Sequence, residues 1–304
     1  MVQPIWWTMS QDNLAIVLRI SSGILFALMV ACVKGLSDVA PTGQIVFYRS
    51  AYALIPLVGY LWIRGEFPRG LKSKYPIRHV FRCITGCCAM FASFATLAFL
   101  TIAEATMLTY LSPIFVVIFA QIFLKELVPA VRWIAVILGV FGTGVLVVPE
   151  LMNSRTDNES YLMGVGLGVL AAVLTAASII QIRNLAKTEH PAAIAFYFAL
   201  TCAVVGLCTL PFGWAETDYK QEILLLGAGL FGGFAHILVT TSFQLGEASK
   251  LAPFEYLSLI WAVIIGVTIF GNIPGFSFYA ALPFIVGSAA IVAFKEGFRR
   301  NMPR

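Results

Sequence analysis

Residues 43–63 read GQIVFYRSAYALIPLVGYLWI, and residues 64–82 directly after them read RGEFPRGLKSKYPIRHVFR. The first stretch is apolar over a length that spans the ~30 Å hydrocarbon core of a bilayer as a helix. Arg49 is its single charge. The second stretch carries Arg64, Arg69, Lys72, Lys74, Arg78 and Arg82. A long apolar run that leads into a basic connection reads as a membrane helix ending on the cytoplasmic side.

The rest of the chain repeats this alternation. Apolar segments fall near 13–34, 43–63, 79–99, 104–124, 131–149, 161–182, 191–212, 222–243, 251–271 and 276–294. Short connections such as Glu66-Phe67-Pro68 and Asn272-Ile273-Pro274-Gly275 separate them. Composition agrees: 60% of the 304 residues are apolar, 12% are charged, and mean hydropathy is +0.89. A soluble domain runs nearer about 45–50% apolar and about 25% charged. The prediction is an all-α integral membrane protein of ten transmembrane helices. Trp6 and Trp7 read as headgroup-level anchors, with no basic stretch or cleavage site to suggest a signal peptide. The six cysteines lie in apolar stretches without metal-type spacing, so they read as packing residues, and no metal or cofactor is expected.

Orientation follows from the basic residues. With the N-terminus inside, sixteen of the twenty Lys and Arg fall on the inner side. Only Lys34, Arg49, Arg155 and Lys220 fall in the outer half. That bias predicts cytoplasmic N- and C-termini in a bacterial inner membrane.

The two halves resemble each other. Gly23–Met29 (GILFALM) matches Gly168–Leu174 (GVLAAVL), Ile45–Arg49 (IVFYR) matches Ile194–Phe198 (IAFYF), and Glu104-Ala105-Thr106 matches Glu247-Ala248-Ser249. The expected units are 1–150 and 161–304, each of five helices. An odd number per unit makes the second enter from the opposite side. Inverted repeats are a recurring plan of secondary transporters, with the substrate held near the midplane at the repeat interface.

Several of these residues carry a family likeness. Glu104-Ala105, Pro113, Leu124-Lys125-Glu126 and the glycines Gly139, Gly142 and Gly144 recur in kind as Glu247-Ala248, Ala252-Pro253 and Gly287. The chain resembles the drug/metabolite transporter superfamily, with two EamA-type domains, over nearly its whole length. It departs at Phe270-Gly271-Asn272, where the family usually has a glutamate. The resemblance implies ten helices, cytoplasmic termini and a central cavity. The run Leu251–Tyr256 and Lys34 look closest to carriers of amphipathic metabolites such as S-adenosylmethionine, riboflavin or amino acids.

Ionisable groups at membrane depth are costly and mark candidate sites. Arg49 reads either as an arginine reaching the interface or as an anion ligand, and its repeat counterpart is Phe198. Glu255 and His236 have Ser112 and Ser93 as counterparts. The two fall at similar depth on the hairpin of segments eight and nine, so they are the candidates for proton coupling or cation binding. Against that stands a histidine that is only hydrogen-bonded structure. Tyr110, Tyr256 and Trp261 are candidates for an aromatic wall or for plain helix packing. The pairs Gly164–Gly168 and Gly229–Gly233 have the spacing that lets helices approach closely.

Other classes fit poorly. The chain has no HExxH, no Gly-x-Ser-x-Gly and no Gly-x-x-x-x-Gly-Lys-Ser/Thr, which argues against an intramembrane enzyme or an ATP-driven pump. No polar stripe or selectivity loop suggests a channel. The expected partners are a small-molecule metabolite and the bilayer, with protons and a second copy of the chain left open and no nucleic acid. An exporter of the same fold is the alternative to an importer.

Overall fold

The structure is a computed structural model that describes residues 11–124, 130–152, 158–185, 188–245, 254 and 257–300. The helices are α1 (Gln11–Leu36), α2 (Thr42–Ile63), α3 (Pro76–Phe99), α4 (Ile102–Thr109), α5 (Ser112–Leu124) and α6 (Ala130–Met152). They continue with α7 (Asn158–Leu185), α8 (Pro191–Leu207), α9 (Tyr219–Leu245), α10 (Leu257–Phe270) and α11 (Phe276–Arg300). No strand occurs among the described residues. Six of these helices are long and apolar enough to cross a membrane. Shorter apolar stretches within the helices lie at Ile102–Val116, Ile137–Pro149, Leu257–Phe270 and Phe276–Ser288, where the sequence places segments four, five, nine and ten. The fold is an all-α membrane fold.

One segment differs from its sequence reading. Residues 104–124 do not form a single helix but break at Tyr110-Leu111 between α4 and α5. Pro113 has no N–H to continue the backbone ladder from Thr109, so the helix restarts there. The start of α4 explains the acidic residue in the family-like Glu104-Ala105. The Thr101 hydroxyl accepts from Glu104 N at 3.3 Å, and Glu104 Oε2 accepts from Thr101 N at 3.0 Å. This reciprocal capping box satisfies two orphan donors at a helix start.

The halves do not fold around separate cores. α1 packs on α9, α3 on α7, α2 on both α8 and α9, and α6 on α11, so every one of these pairs joins the two halves. One apolar cluster combines Val33, Leu36, Val46, Leu97 and Ile102 with Cys202, Leu225 and Ala228. A second combines Met107, Leu108 and Leu146 with Ala172, Leu259 and Ile285. Cys83, Cys87 and Cys202 are buried packing residues in the first.

The glycine pairs account for the close approaches. A Cβ on Gly233 would meet Pro56 Cγ and lie 2.9 Å from Ala53 O, and one on Gly229 would lie 3.1 Å from Arg49 O. The backbones of α9 and α2 therefore nearly touch. On α7 a Cβ at Gly168 would lie 2.5 Å from Leu108 Cδ1, so there the glycine admits a neighbouring side chain. Gly166 faces open space, and a Cβ there would meet nothing within 4 Å. Gly233→Val is expected to lower the thermal midpoint of the detergent-purified protein by the equivalent of ~1–3 kcal/mol, the usual scale of overpacking. Gly166→Ala is the matched control. Equal midpoints for both variants would remove the packing role from Gly233.

Candidate functional site

Arg49 sits in the middle of the bundle and not at its rim. Only 3% of the residue is exposed, so the reading of an arginine reaching the interface is set aside. Its Nη2 lies 3.6 Å from Met29 Sδ and 3.3 Å from His236 Nε2. Its Nε is buried without a hydrogen-bond partner. A guanidinium has donors and no acceptor. The approach to His236 is therefore a hydrogen bond only when the Nε2 lone pair accepts and the ring proton sits on Nδ1. Gly232 makes room for the group: a Cβ there would lie 2.9 Å from Met29 Sδ and 3.2 Å from Arg49 Nε.

His236 links this arginine to open space on two sides. Its ring meets Phe26 edge-on, with centroids 5.2 Å apart. Phe26 lines a cavity of about 240 Å³ between α1, α4 and α10, together with Arg19, Ser22, Thr106, Thr109 and Ser258. His236 itself lines a cleft of about 20 Å³ with Tyr60, Arg64, His190 and Thr240, which is room for roughly one water.

The expected aromatic wall is differently built. Tyr110 is buried, and its hydroxyl lies 2.7 Å from Ser258 Oγ, so it ties α4 to α10 behind the cavity. Trp261 packs against the first apolar cluster. Neither lines the larger cavity, where Phe26 and Phe254 supply the aromatic surface. Glu255 and Tyr256 lie outside the described residues. The His236–Glu255 pair expected from the sequence therefore has no described geometry, and the partner His236 does show is Arg49.

A second buried cation escaped the sequence reading. Arg82, read there as one of the basic residues of the inner connection, is 7% exposed inside the bundle. Its Cζ lies 4.4 Å from the centroid of the Phe198 ring, and its Nε and Nη1 have no hydrogen-bond partner. The segment 79–99 takes in Arg82 and not Arg78, but so close to its start an arginine reads as part of the basic connection. Only the structure shows it inside the bundle.

Two hydrogen-bonded latches close opposite ends of the bundle. At the start of α2, Gln44 Nε2 donates to Ala215 O and Gln44 Oε1 accepts from Ala215 N, both at 3.0 Å. Just before α8, Glu189 Oε1 accepts from Lys74 N at 2.7 Å, Tyr75 N at 3.0 Å and Ser73 Oγ at 3.1 Å. His79 Nε2 stands 3.6 Å from Glu189 Oε2, and the Tyr197 hydroxyl donates to Leu71 O at 2.8 Å. Burial works against the Glu189 charge. The N–H groups of Lys74 and Tyr75, with Ser73 and His79, outweigh it and hold the carboxyl below its ordinary range. Each latch joins the start of one helix, α2 or α8, to the loop that follows the other.

With the fold and these side chains in place, likeness to known proteins becomes informative. The profile of the EamA-like transporter family matches residues 13–148 and 162–294. The chain belongs to this family, in two EamA-like segments, and is a membrane transporter of small molecules. It is 27% identical over 288 residues to a pseudopaline exporter of Pseudomonas aeruginosa, covering 93% of this chain and 97% of the relative. A riboflavin transporter of Rhizobium johnstonii is 26% identical over 93% of this chain and 91% of its own. An S-adenosylmethionine uptake transporter of Rickettsia felis is 24% identical over 83% of each. A solved crystal structure superposes with a TM-score of 0.63 over 95% of this chain and 99% of its own, at 19% identity, and shows the shared fold.

Proposed function

We propose that the protein carries a small metabolite bearing an acidic group across the bacterial inner membrane by alternating access, and that Arg49, oriented by His236, binds that group. The observation that carries this reading is a buried guanidinium whose contacts are a thioether and an imidazole nitrogen, one ring away from a cavity at the junction of the two halves. A cation buried in the bundle with no paired carboxylate among the described residues is a strong reason to look for an anionic ligand. Named relatives include both an exporter and uptake carriers, so the reading leaves the direction to gradients.

Two features support the alternating-access part. The helix pairs α1–α9 and α3–α7 exchange with each other when the halves are exchanged, as inverted five-helix repeats over 1–150 and 161–304 would require. The latches at Gln44 and Glu189 exchange in the same way and close opposite ends. Reporter fusions after Pro68, Glu189 and Arg304 are expected to read cytoplasmic, and fusions after Asn158 and Asp218 external. A cytoplasmic signal at Asn158 would remove the inversion. A thermal-shift screen of the purified protein against carboxylic and amino acids finds the ligand, because whatever binds the native state raises its midpoint. Counterflow in proteoliposomes then separates a carrier, which shows trans-stimulation, from a channel, which does not.

A further inference from the structure

We infer that Arg82 is a second anion-binding residue of the same site and that the substrate therefore carries two acidic functions. The inference rests on the reading of Arg49 given above and extends it to the class of substrate. Four observations carry it.

The first is burial without compensation. Arg82 is 7% exposed, its Nε and Nη1 are buried without hydrogen-bond partners, and no carboxylate pairs with it or with Arg49 among the described residues. The Phe198 ring face offsets part of the desolvation but supplies no acceptor for the unpaired N–H groups. An arginine that served packing alone would have its donors satisfied.

The second is proximity to the Arg49 site. The helices that carry the two arginines, α2 and α3, both pack on α8, and Met29, which Arg49 touches, lies in one apolar cluster with Phe198 and Cys202 of α8. Phe198 and Cys202 stand one turn apart on α8. Arg82, on the Phe198 ring, and Arg49, on Met29, therefore border the same apolar cluster.

The third is a built seat for each arginine. A Cβ on Gly232 of α9 would press on Arg49 Nε and Nη2, and a Cβ on Gly86 of α3 would overlap Arg82 Nη1 and lie 3.0 Å from Phe198 Cε2. The helices α3 and α9 occupy matching places in the two halves. Each thus gives up a side chain to hold one guanidinium in the interior.

The fourth is repeat asymmetry. The counterpart of Arg49 in the second half is Phe198, and Phe198 is the ring on which Arg82 lies. The second half thus presents a positive charge at its own copy of the Arg49 position, borrowed from α3. Two buried cations bordering one apolar cluster, with no carboxylate paired to either among the described residues, match a dianion whose two charges lie apart on one molecule.

A dicarboxylate carries its two charges on separate groups, a phosphate monoester carries both on one, and the test distinguishes them. Purified full-length protein is titrated, by thermal shift, with straight-chain α,ω-dicarboxylates of increasing length, with monocarboxylates of matched length, and with alkyl phosphates. The wild type is expected to bind one dicarboxylate at least roughly tenfold tighter than its monocarboxylate, the scale of one charge-assisted contact. In Arg82→Gln that ratio collapses toward one. Arg49→Gln weakens both ligands together. Arg82→Lys keeps the charge but loses the fork, so it restores only part of the ratio, and it serves if Arg82→Gln does not fold. Preference for an alkyl phosphate over every dicarboxylate overturns the inference, because a single group then carries both charges. A wild-type ratio near one across both series, or a ratio unchanged in both Arg82 variants, overturns it. Binding left intact by Arg49→Gln sinks the underlying reading instead, so the two failures are distinguishable.

Discussion

Arg49→Met is expected to abolish transport while leaving the protein at least as stable as wild type. The expectation comes from what surrounds the guanidinium. It is 3% exposed, contacts Met29 Sδ and His236 Nε2, and has a buried Nε with no partner. Removing one member of a buried ion pair is damaging because it orphans the other charge. No such charge stands beside Arg49 among the described residues. Replacing a whole buried ion pair by apolar residues of similar volume is often neutral, or stabilising by ~1–4 kcal/mol. A methionine at position 49 likewise removes a desolvated charge without orphaning a described one. A residue kept for structure behaves the other way, losing stability and function together. Arg49→Gln is expected to lower counterflow at least roughly tenfold, with Arg49→Lys intermediate because lysine presents a point charge in place of a planar fork. The decisive measurement is the pair of readouts on one variant: thermal midpoint in detergent and counterflow in liposomes. Transport at wild-type rate in Arg49→Met would leave Arg49 as a tolerated burial with no part in binding.

The same contrast explains what the amino-acid string could reveal. Helix positions were legible because the bilayer sets a length, and an apolar run of that length has few other uses. Arg49 was legible because a charge inside such a run stands out against apolar neighbours. Arg82 was not, because it follows five basic residues of a connection and stands only three residues into the segment 79–99, where an arginine reads as part of the basic boundary. The cavity wall was equally hidden. Phe26 is one of 24 phenylalanines, and only its edge-on contact with His236 distinguishes it. Tyr110 was singled out as an aromatic surface. In the structure its hydroxyl is spent on Ser258, a partner far along the chain that no local pattern encodes. Glu104 went the other way, since a mark of family likeness became a capping box with a physical purpose.

Glu189 carries the last expectation, and its partners explain both its size and its pH dependence. The carboxylate sits just before α8 and accepts from the backbone of Lys74 and Tyr75 and from Ser73, all in the connection between α2 and α3. Without it, two backbone N–H groups and a hydroxyl lose their acceptor in a poorly hydrated corner, at ~1.5–3 kcal/mol for each bond to a charged group. Glu189→Ala is therefore expected to lower the thermal midpoint by several degrees. Glu189→Gln keeps an acceptor oxygen but loses the charge, and falls between. The sign of the pH effect follows from the carboxyl lying below its ordinary value in the folded protein. Its contribution is complete above the unfolded value, about 4, and disappears as pH drops through the lower folded value. The midpoint gap between wild type and Glu189→Gln should thus be constant from neutral pH down to the ordinary carboxyl range and close below it. Gln44 supplies the internal comparison, because its bonds to Ala215 involve no titrating group. Gln44→Ala should lower the midpoint by an amount that carries no such pH step. A gap for Glu189→Gln that persists unchanged into strong acid would show that the Glu189 charge does not hold the α2–α3 connection to α8.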